Sequence, residues 1–253
     1  MPASYIELSQ SALEKNFKFL KEQLKDTKMS SVVKANAYGH GLSEYLNMAG
    51  NCGINHFSVF SSDEARKVKD SLSFQADIMI MGWINKEDVK WVILNNIELF
   101  VFDFERIGLF LETAKKLQIP AKIHIELETG MNRTGFPQKD LKKLMKLLNE
   151  NKDHFICKGL CTHLAGAESI ANYYRIKDQI KNFNKIYKQF ISNNLNPEAR
   201  HTACSAATLS YPKTRFEMVR IGILQYGFWP SIETLIQYIS KHDFQSDPLK
   251  QVL

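Results

Sequence analysis

Short apolar runs and stretches of helical periodicity alternate along this chain. The apolar runs are "SSVVKANA", "HFSVF", "DIMIMGW", "IELFVFD", "AKIHIEL", "ICKGLCTHL", "RHTACSA" and "FEMVRIGILQYG". They are brief and lack a clean apolar/polar alternation, which is the pattern of strands buried on both faces. Between them lie amphipathic stretches, "SSDEARKVKDSL", "NKEDVKWVILNN", "FERIGLFLETAKKLQ", "PQKDLKKLMKLLNEN" and "ANYYRIKDQIKNFNKIYKQFISNN". A first helix, "SALEKNFKFLKEQL", follows serines suited to capping it. Eight such strands separated by helices predict parallel βα units, and eight units in about 250 residues is the size of a (β/α)8 TIM barrel. A doubly wound open sheet is the alternative, but no GxGxxG follows the first strand. After Gly227 the pattern changes, and "FWPSIETLIQYISKHDFQSDPLKQVL" reads as a terminal helix and a polar, linker-like exit.

Composition changes this picture little. With 253 residues, 44% hydrophobic and 24% charged, the chain is ordinary globular material that can bury a core without staples. The balance of 33 Lys+Arg against 27 Asp+Glu gives +6. The lysines are spread along helical stretches such as "LEKNFKFLKEQLKD", so they read as solvated faces and not as a nucleic-acid patch. Cys52, Cys157, Cys161 and Cys204 form no CxxC pair and no zinc spacing, and Cys157 and Cys161 read as free buried thiols. The start, "MPASYIELSQ", has no apolar signal region, and no window is long and apolar enough to span a bilayer, so a cytoplasmic protein is expected.

In a barrel, reactive residues sit at the C-terminal ends of the strands. The first strand delivers Lys34, with Tyr38 and "GHG" just beyond. The fifth delivers "ELETGMNRTGF", carrying Glu126, Glu128 and Arg133. The sixth ends in Thr162 and His163, the seventh in "CSAA" with Ser205, and the eighth in Arg220 and "IGI". There is no acid pair of the kind glycoside hydrolysis needs and no metal-ligand spacing. The set is rich in donors, which suits an anionic ligand, phosphate first among them.

The motifs "VVKANAYGHG", "TGMNRTGF", "CTHLAG", "CSAAT" and "MVRIGILQYG" stand in the order and spacing of alanine racemases, and from "SYIELSQSALEKN" to about "GFWPS" the chain resembles their N-terminal barrel. The resemblance implies a pyridoxal 5'-phosphate enzyme that interconverts L- and D-alanine, supplying D-alanine for peptidoglycan, and works as a homodimer. It implies that Lys34 bonds the cofactor aldehyde and then acts as base on one face of the substrate α-carbon. A lysine partly desolvated at a strand end could deprotonate for that role; otherwise Lys34 is a snorkelling barrel lysine. Tyr38, Ser205, Gly222 and the amide of Ile223 resemble the phosphate cradle, although Ser205 could also simply cap a helix.

Arg220 resembles the arginine facing the pyridine nitrogen. It has only donors, so that nitrogen must accept and stay unprotonated, which favours racemisation over transamination. His201 would hold Arg220, unless it is merely a core histidine, and His163 would sit by the ring and join the same network. Arg133 resembles the arginine near the cofactor's phenolic oxygen and the substrate carboxylate. Two positions depart from the pattern. Glu126 stands where many members carry a carbamylated lysine, and is expected to orient Arg133 by a charge-assisted hydrogen bond unless it is a surface acid. Cys204 stands where an asparagine often precedes the serine.

The expected organisation is a cofactor-binding barrel over 1–240, with 241–253 a linker into a C-terminal β-domain. That domain would carry the tyrosine serving the second face, which neither Tyr38 nor Tyr226 matches in context. A racemase for another amino acid, a decarboxylase-like relative, and a non-catalytic cofactor-binding module within a fused cell-wall enzyme are the alternatives.

Overall fold

The computed structural model describes residues 5–242 and 246–253. Its strands are β1 (Lys28–Val32), β2 (His56–Val59), β3 (Asp77–Ile80), β4 (Glu98–Val101), β5 (Ala121–Glu126), β6 (Phe155–Cys161), β7 (Ala199–His201) and β8 (Met218–Ile221). All pair in parallel, in the order β7-β6-β5-β4-β3-β2-β1-β8. The remaining seam is bridged where the Arg220 N–H donates to the Ala203 carbonyl at 3.0 Å. The expected (β/α)8 barrel is the fold.

The expected helices form as α1 (Gln10–Leu24), α3 (Ser62–Ser71), α4 (Val89–Leu94), α5 (Phe104–Leu117), α6 (Leu141–Glu150), α7 (Tyr173–Ser192) and α9 (Ile232–Ile239). Ser9 caps α1, its hydroxyl accepting the Ala12 N–H at 3.2 Å. Two helices escaped the sequence reading, α2 (Leu42–Asn51) and α8 (Ser205–Ser210). Both are short and sit beside glycine- or cysteine-bearing turns that mask their periodicity.

Strand side chains alternate between two environments. Phe57, Val59, Ile78, Ile80, Leu99, Val101, Ile123 and Ile125 belong to the large core between sheet and helices. Each such buried side chain contributes roughly 1.5–3 kcal/mol. The opposite positions fill the barrel interior, where Met79, Phe100, Cys161 and Met218 form a small separate cluster. Around it stand buried polar residues: Ser30, His56, Ser58, Glu98, His124, His201 and Arg220. A barrel interior is usually filled by branched apolar side chains, so this polar filling calls for an account.

Of the expected linker over 241–253, residues 243–245 lie outside the described residues. The segment 246–253 runs against the barrel and not away from it. Leu249 and Val252 are buried. The Val252 carbonyl accepts the Ser9 N–H at 2.8 Å, and Asn16 exchanges two 2.7 Å hydrogen bonds with the Lys250 backbone. Gly227, at φ 90, permits this approach, since a Cβ there would lie 2.0 Å from the Lys250 carbonyl oxygen. The apolar character of "LKQVL" is thus used in packing on α1 and the turn after β8.

Candidate active site

The C-terminal ends of the strands surround a cleft of about 890 Å³. Lys34, Tyr38, Glu126, Arg133, His163, Ser205, Arg220, Gly222 and Ile223 all line it. His201, the remaining predicted residue, lies fully buried beneath the floor.

Lys34 does not sit on a strand end. β1 stops at Val32, and Ala35 to Tyr38 form one turn of left-handed backbone with φ between 52 and 55°. None of the four is glycine, so the turn costs roughly 1–2 kcal/mol per residue and must be held from outside. Glu64, in the first turn of α3, does this: its carboxylate accepts the Ala35 N–H at 2.6 Å and the Phe60 N–H at 2.7 Å. Asn36 accepts the Leu42 N–H at 2.9 Å and thereby starts α2. Lys34 itself is exposed, so the partial desolvation expected of its amine is not supplied by the barrel wall.

Tyr38, Ser205 and Gly222 meet at one side of the cleft. A Cβ on Gly222 would lie 2.5 Å from the Tyr38 hydroxyl, so only glycine fits there. Ser205 is not a cap: it is the first residue of α8, and its hydroxyl accepts the N–H groups of Gly222 at 3.0 Å and Leu224 at 3.5 Å. Cys204 occupies the cap position and makes no capping hydrogen bond. Burial, then Cys204, raises the Tyr38 pKa, so the hydroxyl remains a donor at neutral pH.

On the floor, Arg220 is buried. Its Nη1 donates to His201 Nδ1 and, at 2.7 Å, to the His201 carbonyl; its Nη2 donates to the Thr162 carbonyl at 3.0 Å. Guanidinium has five N–H donors, and among the described residues two of those of Arg220 make no hydrogen bond. His163 lines the cleft, but among the described residues its ring makes no hydrogen bond, so it does not join the Arg220–His201 network. Burial, followed by the positive charges of Arg220, Arg133 and Lys34, lowers its pKa to about 3 and keeps the ring neutral. Its backbone is fixed by Gln179 on α7, which donates to the His163 carbonyl at 2.9 Å.

Glu126 is buried and is no surface acid. It forms no ion pair with Arg133 among the described residues, so the expected charge-assisted hydrogen bond is not what orients that arginine. Burial raises the Glu126 pKa, against the lowering influence of Thr134, Arg220 and Arg133. Arg133 is exposed, in a loop tied down elsewhere: Glu128 accepts the N–H groups of Gly130 and Asn132, and Arg175 donates to the Gly130 carbonyl. Of the thiols, Cys161 is buried, whereas Cys157 is only half-buried in the folded surface; burial pushes Cys157 up to about 12, and both stay protonated.

Sequence reasoning passed over Glu64, Gln179 and three residues under the floor, His56, Glu98 and His124. The last three did leave a signal, since each is a titratable side chain within a short run rich in apolar residues.

A closed set of eight parallel strands with cationic and hydroxyl side chains gathered at the strand C-termini defines a TIM-type barrel whose candidate site lies at the end where such barrels carry their chemistry. The chain belongs to the family described as alanine racemase, N-terminal domain, whose model matches residues 8–230. It is 31% identical over 229 residues to the alanine racemase of Methanococcus maripaludis, covering 90% of this chain and 61% of that protein. To the Leptospira interrogans enzyme it is 32% identical, covering 98% and 63%. Among solved structures, the Streptomyces coelicolor A3(2) alanine racemase superposes with a TM-score of 0.86 at 27% identity over 97% of this chain and 64% of that one. The Bartonella henselae alanine racemase, solved with covalently bound pyridoxal phosphate, gives 0.83 at 25% identity over 99% and 65%. The chain therefore spans slightly under two thirds of the length of these relatives. No helix among the described residues is long and apolar enough to cross a membrane.

Proposed function

We propose that this chain is the cofactor-bearing barrel of an alanine racemase, holding pyridoxal 5'-phosphate and serving the interconversion of L- and D-alanine. The observation that carries this reading is the meeting, in one cleft, of the Lys34 amine, the two free N–H groups of buried Arg220, and the Tyr38–Ser205–Gly222 corner. The donors fit the group. Tyr38, Ser205, Gly222 and the amide of Ile223 would hold the phosphate at this corner of the cleft, where the lack of a Gly222 side chain lets the Tyr38 hydroxyl sit close to the backbone. When bound, the cofactor supplies an electron-withdrawing ring that acidifies the substrate α-C–H.

The residues of the chain then divide the work. Lys34 would hold the cofactor through its Nζ, and the same amine would take and return the α-proton on one face of the substrate. Arg220 would donate to the ring nitrogen and, having no acceptor, would keep that nitrogen unprotonated. This weakens the ring as an electron sink and favours return of the proton to the α-carbon. Neutral His163 adds no further positive charge beside it. Arg133 meets the substrate carboxylate. The opposite face would need a second proton carrier, and the tyrosine lining the cleft, Tyr38, is taken up by the phosphate corner; the assembly would be a homodimer.

Borohydride treatment of the protein with pyridoxal phosphate should fix the cofactor on Lys34, as read by peptide mapping, and Lys34→Ala should abolish the adduct. An adduct on another lysine, or one that survives in Lys34→Ala, overturns the reading.

A further inference from the structure

The polar filling of the barrel interior is one continuous chain of hydrogen bonds. From Arg220 Nη1 it passes to His201 Nδ1, and from His201 Nε2 to His124 Nδ1 at 2.8 Å. From His124 Nε2 it reaches Glu98 Oε2 at 2.9 Å. The same carboxylate oxygen meets His56 Nε2 at 3.1 Å, and His56 Nδ1 meets Ser30 Oγ at 2.8 Å. Glu98, His124 and His201 are all at most 1% exposed, so their hydrogen-bond directions are constrained by each other and not by water.

Those directions are set jointly by the two ends, a guanidinium that can only donate and, on Glu98, an ionised carboxylate that can only accept. Guanidinium only donates, so His201 Nδ1 accepts and carries no proton. A neutral imidazole has one donor and one acceptor, so His201 Nε2 carries the proton and donates to His124 Nδ1. His124 Nδ1 is then an acceptor, its Nε2 carries the proton, and that N–H needs an acceptor in turn. Glu98 Oε2 is that acceptor. Burial drives the pKa of both imidazoles down, well down for His201, which keeps them neutral. Burial alone would raise Glu98, but the hydrogen bonds from His124 and His56 outweigh it and hold the group far below the usual range.

We propose that Glu98 is a positioning residue for Arg220: by accepting from His124 Nε2 it fixes the tautomers of His124 and His201, so that His201 presents a bare Nδ1 to the guanidinium. With the opposite tautomer His201 Nδ1–H would face an arginine N–H, donor against donor, and Arg220 would lose that seat. Two local features serve the relay. The β5–β6 register jumps from Ile123↔Cys157 to His124↔Gly159, taking Lys158 out of the ladder and placing Gly159 behind the imidazole pair. A Cβ at Gly159 would lie 2.3 Å from His124 Nδ1 and 2.6 Å from His201 Nε2, so any side chain there would split the pair. Lys158 Nζ, 4.0 Å from Glu98 Oε1, sets a positive charge at the far end. The consequence for the ring nitrogen rests on the racemase reading, but the relay itself does not.

The test is long-range ¹H–¹⁵N correlation on cofactor-free protein labelled at histidine nitrogens. The charged and titratable groups facing the pair are His56 on β2, Glu98 on β4, Lys158 on β6 and Arg220 on β8. In the wild type, His124 and His201 should each show a protonated Nε2 and a bare Nδ1, unchanged between about pH 5 and 8. Glu98→Gln, which keeps an acceptor oxygen, should preserve the pattern. Glu98→Met, which removes it, should abolish the single-tautomer signature of both imidazoles. His124→Phe breaks the relay in its middle and should abolish that of His201, which covers the case in which Glu98→Met does not fold. A wild-type His201 protonated on Nδ1, or an unaltered His201 signature in either folded variant, overturns the proposal. Absence of a Lys34 adduct in the borohydride experiment would overturn the cofactor reading and leave these tautomers unaffected.

Discussion

Replacing Glu64 by alanine removes both hydrogen bonds that hold the left-handed turn beyond Lys34. The carboxylate accepts from Ala35, one residue after Lys34, and from Phe60, one residue after β2 ends. It therefore ties two strand ends together at the rim of the cleft. Hydrogen bonds to a charged group contribute about 1.5–3 kcal/mol each, and these two lie where water can partly replace them. A combined loss of about 2 kcal/mol is the reasonable figure. Four non-glycine residues at positive φ hold a further ~4–8 kcal/mol that favours relaxation of the turn once its anchor is gone. For a chain of this size ~2 kcal/mol lowers Tm by roughly 4–8 °C. With a urea m-value near ~3 kcal/mol/M the midpoint falls by roughly 0.7 M. Glu64→Gln keeps one acceptor and turns an amide donor toward the other N–H, so it should recover at most half of the loss. Both variants are to be compared with wild type by urea titration and thermal melts. If Glu64→Ala costs less than ~0.5 kcal/mol, the range of an ordinary surface substitution, Glu64 is not what holds this turn.

Two further predictions concern charge in the cleft. Burial holds the folded pKa of Glu126 above its unfolded value, so the group binds its proton more tightly in the folded state, and stability is lost as pH rises through that pKa. Glu126→Gln should therefore raise the urea midpoint at pH ~7 and converge with wild type at pH ~4, near the ordinary glutamate value; bicarbonate should change nothing in either protein. His163 has the opposite sign: its folded pKa is about 3 against ~6.5 unfolded, so the unfolded state takes up the proton first and stability falls as pH descends from ~6.5. His163→Gln should flatten that descent between pH ~6.5 and ~5 in urea midpoints, and an equal slope in both proteins would refute the neutral-imidazole reading.

The barrel was legible because parallel strands buried on both faces leave continuous apolar runs, and β2 to β5 lie within the runs expected of them. The mouth was legible because strand ends are where polar residues interrupt those runs. The turn at Ala35–Tyr38 was not. In "ANAY" only Asn36 leans toward left-handed backbone, and the full turn is held by Glu64 from the neighbouring helix and by the Asn36 side chain bonding forward to Leu42. The Glu126–Arg133 contact failed for a related reason: spacing put both at one mouth, but loop geometry, set by Glu128 and Arg175, decides where an exposed arginine points. Glu98 and His124 were visible as polar residues in "IELFVFD" and "AKIHIEL", but period two alone does not say which face is the barrel interior, nor that two strands away His201 waits for a partner.

The interior polar chain also explains why the two cations of the cofactor reading are built so differently. In the cofactor reading Lys34 would exchange bonding partners, and it stands exposed on a turn whose backbone is anchored by Glu64. Arg220 must not move, because its value lies in being a donor at a fixed point. A buried charge is tolerated only when its hydrogen bonds are met, and breaking one partner of such a set costs about 3–5 kcal/mol. Here Arg220 is met by His201 and Thr162, and the negative end of the set, Glu98, lies on another strand with two imidazoles between them. Separating the charges in this way leaves Arg220 with no carboxylate hydrogen-bonded to it among the described residues, so two of its N–H groups stay available for a ligand while Glu98 balances it across the barrel. A carboxylate placed directly against Arg220 would have stabilised the arginine equally well and occupied the donors the ligand needs.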